Sequence, residues 1–458
     1  MVRYFLDWAR ARSAVARDGI SMSWLYRSLA VLALLMQGAV GHAADKMLAF
    51  PGAQGAAAHT AGGRGGKILK VTTLSASGPG SLLEALEHDG PRIIVFEVGG
   101  VIDLAQHEIK ITKPFLTIAG QTAPSPGITL IRTGIDVLTH DVIMQHIRIR
   151  TGSAGATTTS GWAPDAISMV NAHNIIIDHC SLTWAVDENL SASGPRFTGD
   201  TPDEWRNAVS RRVTFSNNII AEGLAKSTHP KGEHSKGSLI HDNVNEILIV
   251  GNLYAHNYER NPLFKGGARG MVINNFIYNP GPRAVHYNLI AEEWYGRSYQ
   301  NGQMTLIGNV LRAGPSTPQD VAFFMLGGSG DVEIFQEDNL AVDRLGNPLP
   351  QIGRYTTSKA KIISMPKPSL PINVKVLNSL EVEESVIANA GARPWDRDAI
   401  DARIVADTIE GRGEIIDSEE QVGGYPQYKP TRQPFNEKDW DLSTMTPRVA
   451  PRKGNIPR

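Results

Sequence analysis

Two cations five positions apart bracket a proline in Arg260-Asn-Pro-Leu-Phe-Lys265. The segment follows a strand-like stretch and precedes the glycine pair Gly266-Gly267. A guanidinium and an ammonium so placed can clamp negative charge as it develops in a reaction. Asp178-His179 reads either as an acid–base pair or as a structural element, and the three isoleucines before it, at 175–177, favour the structural role. Cys180 is the sole cysteine, so no internal disulfide can form, and its apolar neighbours point to a small buried side chain rather than a catalytic thiol.

The elements that hold these residues are set by the rest of the chain. Its 45 lysines and arginines nearly cancel 46 acidic residues, which gives no global charge to draw nucleic acid or a membrane surface. Ser28 to Val40 is apolar, follows Arg27 and runs into the small residues Gly41-His-Ala-Ala44. That pattern is a secretory signal peptide over residues 1–43, with Met22 an alternative start. No later stretch approaches the ~20 apolar residues of a membrane span, so a secreted protein, extracellular or periplasmic, is expected.

An irregular repeat follows. Short apolar or β-branched runs end on an amide or its stand-in at positions 121, 146, 180, 218, 252, 275, 309 and 339, as in Val213-Thr-Phe-Ser-Asn-Asn218 and Leu248-Ile-Val-Gly-Asn252. A minimum period of about two dozen residues with variable insertions is the mark of a parallel β-solenoid, whose turns grow outward without disturbing the stack. Stacked asparagines can bond from coil to coil and tolerate the left-handed backbone of a sharp bend. The long gaps place insertions at 151–162, 191–207 and 223–238, expected to wall a groove. The reading is therefore all-β, with a parallel β-helix over residues 44–378 that includes a strand at 372–377. A helical extension over 379–428 packs on it, and a loosely ordered tail spans 429–458.

Five motifs in order, Asp165-Ala-Ile167, Ile177-Asp-His179, Trp184-Ala-Val-Asp-Glu188, His234-Ser-Lys-Gly237 and Arg260-x-Pro-x-x-Lys265, resemble polysaccharide lyase family one, the pectate lyases, from roughly Phe50 to Asn339. The resemblance implies a right-handed parallel β-helix. It also implies β-elimination on α-1,4-polygalacturonate assisted by Ca2+. Removing the proton α to a carboxylate demands neutralisation of the enolate-like product, and a hard cation held by convergent oxygens supplies it.

By the same resemblance Asp165 and Asp187 match calcium ligands, with Glu188 a third. Arg260 matches the catalytic base or an electrostatic clamp, and Lys236 the lysine that meets a substrate carboxylate or the glycosidic oxygen. Lys265 stands where a second, substrate-binding arginine is common; Lys231 and Lys226 are alternatives to Lys236. Ala163 and Thr183 replace acids common in the family, so the acidic half of the site is thin. Arg148 and Arg150 alternate on one strand face and either bind acidic sugar, the role assigned to Arg150, or face solvent. Trp162 and Trp184 either stack on sugar or pack in the core.

No Asp-Asp pair occurs, which argues against an inverting hydrolase on this scaffold. The competing readings are a pectin lyase acting on methyl-esterified polymer and a non-catalytic glycan-binding β-helix. A monomer acting on an acidic cell-wall polysaccharide is expected.

Overall fold

A computed structural model describes residues 47–448. The signal-peptide segment, 1–43, lies outside the described residues, as does 449–458. Three long sheets form among the described residues, and successive coils add one strand to each. The first contains His140–Gln145, His173–Asp178, Arg211–Ser216 and Asn245–Val250; the second Ile167–Val170, Glu188–Ser193, Lys236–Ile240 and Leu263–Lys265; the third Ile147–Arg150, Ser181–Thr183, Ile219–Ala221 and Leu253–Ala255. All pairs among these strands are parallel. This is the parallel β-helix expected from the repeat.

Inward-facing Ile, Val, Leu and Phe fill the barrel, and Cys180 lies fully buried among them. Burial pushes its thiol up to about 12, which keeps it protonated and inert.

The asparagine stack stands between the first and third sheets. Asn218, Asn252, Asn275, Asn309 and Asn339 form one ladder, in which each backbone N–H, from Asn218 to Asn309, donates to the next side-chain oxygen at 2.9–3.0 Å. The left-handed bend falls one residue earlier, on Asn217, Gly251, Asn274, Gly308 and Asp338. The two tasks assigned to one amide are thus divided between neighbours. Glycine serves at 251 and 308 because φ there is +68° and +61°.

Two helices, Ser379–Asn389 and Ala399–Glu410, bury Val382, Val386, Ile404 and Val405 against a second apolar cluster that includes Trp184, Ile219 and Phe276. Both are capped, by Asn378 and by Asp398. The segment 372–377 forms no strand; Leu377 instead brackets the Asn274 side chain by hydrogen bonds at its N–H and C=O.

The segment from 429 is not loose within the described residues. Thr431–Arg432 pairs antiparallel with Val98–Asp103. Phe435 and Met445 are buried beside Ile93, Val95 and Ala119. Its proline content suggested a tail, but strand pairing and buried apolar side chains seat it.

Candidate active site

The second sheet brings the candidate residues to one place, at the starts of its strands. Asp165 precedes Ile167–Val170, Asp187 precedes Glu188–Ser193, Lys236 opens the next strand and Arg260 precedes Leu263–Lys265. Glu188 and Lys236 are register partners, and Lys236 bridges to Glu259. Opposite charges therefore alternate over three consecutive coils.

Asp165, Asp187 and Glu188 offer carboxylate oxygens within 4.8 Å of one another. Asp165 is held by the Glu188 N–H at 3.0 Å and by the Ser191 hydroxyl. Burial, and then the neighbouring Asp187 carboxylate, push the Asp165 carboxyl well above its ordinary range. Three acids crowded to that degree are the donor set a hard cation relieves, with the missing ligands left to water and substrate. The residues present fit calcium, although only three carboxylates converge. Thr183 is no part of this group: it lies in the third sheet, where its hydroxyl accepts from Arg150.

Arg260 adopts a left-handed backbone, φ +64°, and lays its guanidinium against Glu188. Burial lowers its pKa, while Asp187 and Asp165 push it back up. Lys236 is 4% exposed and bonds Glu259, whose other oxygen pairs with Arg283. Burial, and then the Arg283 charge, bring the Lys236 ammonium down to about 8.

Lys265 is buried at the far end of its strand, paired with Glu293 and 3.6 Å from Asp242. Arg196 joins the same two acids at 2.8 and 3.0 Å. Lys231 is exposed on the 223–235 loop, and Lys226, also exposed, lies 3.9 Å from Glu233.

Arg150 is not a substrate-binding residue. It is fully buried in the third sheet, where it donates to both Asp398 oxygens at 3.0 Å and to Asp401 at 2.8 Å. Arg148 lies beside it, 3.2 Å from Asp401. The two arginines face neither solvent nor sugar but the C-terminal extension. Trp184 is a core residue whose indole N–H donates to Glu222, and Trp162 donates to the Gly152 carbonyl.

Asp178 accepts from Gln145, Ser216, Asn217 and His179, tying adjacent coils as a structural element. Burial pushes the carboxyl up, but His179 and these donors outweigh it and hold it below the usual range.

Sequence reasoning missed Glu259, Arg283 and His229, and gave no role to His234 although it opens one of the motifs. Glu259 adjoins Arg260, and an acid next to the catalytic candidate was the one available signal, though not its pairing.

No protein-family model matches the chain. Proteins named "Probable pectate lyase C" do: that of Aspergillus terreus is 33% identical over 394 residues, covering 84% of this chain and 83% of that protein. That of Aspergillus fumigatus is 32% identical over 396 residues, covering 85% and 84%. Among solved structures, a mutant pectate lyase of Bacillus subtilis aligns with a TM-score of 0.49 at 14% identity, over 74% of this chain and 96% of that one.

Proposed function

The chain belongs to the pectate lyase family, and from that membership we propose a secreted enzyme that cleaves α-1,4-polygalacturonate by calcium-assisted β-elimination. One observation carries the reading: Asp165, Asp187 and Glu188 converge within 4.8 Å, and Arg260 lies directly on Glu188. Bound calcium would be held by those three acids and would supply Lewis-acid neutralisation of the substrate carboxylate.

The chain's own groups divide the remaining work. Loss of the C5 proton requires a base, and Arg260 is the candidate. Burial already lowers its pKa, and the opposing pull of Asp187, Asp165 and the contacting Glu188 fades once those acids are neutralised. As the C5 proton leaves, the electron pair forms C4=C5 and the C4–O bond breaks. Lys236, brought down to about 8, is matched to protonate the departing glycosidic oxygen near neutral pH. Glu259 positions Lys236 and Arg283 together.

A second reading, a pectin lyase acting on methyl-esterified polymer, is favoured by the pairing of Arg260, Lys236, Arg283 and Lys265 with Glu188, Glu259 or Glu293. A fully charged polyanion must compete with those carboxylates for every cation, whereas an ester need not. The test is digestion of both polymers with and without a chelator, followed by the ultraviolet absorption of a double bond conjugated to a carboxylate. Chelator-sensitive absorption from unesterified polymer supports the first reading. Chelator-insensitive absorption from esterified polymer alone supports the second, and reducing ends without absorption contradict both.

A further inference from the structure

The loop between Ile219–Ala221 and Lys236–Ile240 carries two histidines that the reaction above does not use. His229 and His234 are 3% and 6% exposed. Their rings stack with centroids 3.6 Å and planes 10° apart. Both turn Nε2 toward one carboxylate: His234 lies 2.9 Å from Asp187 Oδ1 and His229 lies 3.5 Å from Oδ2.

The loop is tied down to produce this arrangement. The His234 N–H donates to the Ala225 carbonyl at 2.8 Å, the Lys226 N–H donates to Asp417 at 2.9 Å, and the Thr228 hydroxyl donates to the Trp162 carbonyl. Three ligand-capable groups, two imidazoles and a carboxylate, thus lie within 4.8 Å of one another.

Calcium prefers oxygen donors, whereas imidazole suits zinc, cobalt and nickel. We propose that Asp187, His229 and His234 form a second cation position, selective for a borderline divalent metal of the zinc class, which shares Asp187 with the all-oxygen group of Asp165 and Glu188. The shared ligand couples the two positions, since drawing Asp187 toward the histidines loosens its hold on the other side. The proposal rests on this geometry and not on the lyase reading.

The proton balance is explicit. His229 Nδ1 accepts from the Lys231 N–H at 3.1 Å, so in the metal-free ring Nε2 carries the proton. Metal binding at Nε2 moves that proton to Nδ1, releases the Lys231 amide and opens the parallel stack. Pro230 and Lys231 are exposed, and Gly232 at φ +85° makes the turn, so the loop has solvent-side room for the change.

The test is titration of the metal-free mature protein with Co2+, read by its visible absorption, and with Zn2+, read by calorimetry. One ion per chain with a nitrogen-ligated cobalt spectrum is expected. His229→Gln and His234→Gln, each checked for a native melt, should weaken binding at least about tenfold. Asp165→Asn should leave the cobalt spectrum in place, which separates this position from the acidic one. Absence of cobalt binding by the unmutated protein, or equal affinity and an unchanged spectrum in both histidine variants, overturns the proposal. Because the readout is metal binding, that failure would leave the lyase assay unaffected.

Discussion

Replacing Arg150 with methionine should unseat the C-terminal extension. Arg150 is fully buried, and its guanidinium satisfies both oxygens of Asp398, one oxygen of Asp401 and the Thr183 hydroxyl. Its removal leaves Arg148, 3.2 Å from Asp401 and 3.4 Å from Asp398, as the remaining ion-pair partner of two buried carboxylates, beside neutral hydroxyl donors from Tyr428 and Ser181. Breaking a buried pair from one side costs about 3–5 kcal/mol, because the uncompensated charge remains in the interior. With an unfolding entropy of about 2.1 cal/mol/K per residue over roughly 400 residues, that is a fall in Tm of about 4–6 °C.

Differential scanning calorimetry measures the fall, and limited proteolysis across 379–410 shows whether it begins with the helices. Burial pushes the Asp398 carboxyl up, but Arg150 and Arg148 outweigh it and hold it below its ordinary value. The stabilisation is therefore complete above the unfolded pKa of about 3.9 and lost as pH falls through the folded one, so the gap between variant and parent closes only in acid. Adding Asp398→Asn to the variant should recover part of the loss. A Tm within about 1 °C of the parent, with unchanged proteolysis, would show that the Arg150 ion pairs do not hold the extension in place.

Other outcomes follow from the same contacts. Asn252→Ala removes a buried amide that bonds both Asn218 and Asn275. It should cost about 1–3 kcal/mol in denaturant unfolding. If Lys236 must be protonated to act, kcat/KM falls as pH rises through about 8, and Lys236→Arg moves that limb upward; a rate that keeps rising through that range contradicts the role. Cys180, buried with its thiol pushed up to about 12, should resist thiol reagents in the native protein and react fully in denaturant.

The coil was legible in the sequence because its bends repeat. Asn218, Asn252, Asn275, Asn309 and Asn339 each close an apolar run, and that local pattern reports a stack that extends through the whole molecule. Asp165, Asp187, Glu188, Lys236 and Arg260 were picked out by their match to pectate lyase motifs, and the coil repeat added only that stacking would make them neighbours. Arg150 was not. Its partner Asp398 lies 248 residues away and reads in sequence as an ordinary helix cap, so nothing local separates a buried arginine from one on a binding face. The pairing of Lys236 with Glu259, and of Lys265 with Glu293, was hidden likewise, because the side-chain directions that decide it are set by the turns. The segment from 429 misled through composition: proline and charge dominate it, while a short strand pairing at Thr431–Arg432 and the buried Phe435 and Met445 hold it down.

On the proposed reading, bond cleavage is an elimination carried out by the Arg260 group. Digesting polygalacturonate in water enriched in heavy oxygen, and weighing the fragments by mass spectrometry, tests it most directly. Elimination predicts one unsaturated fragment per cut, lighter by one water than its hydrolytic counterpart, with no heavy oxygen from bond cleavage in the new ends, and no cleavage by a folded Arg260→Ala variant. Saturated fragments at both new ends, with one labelled oxygen gained per cut, or undiminished cleavage by that variant, would contradict it.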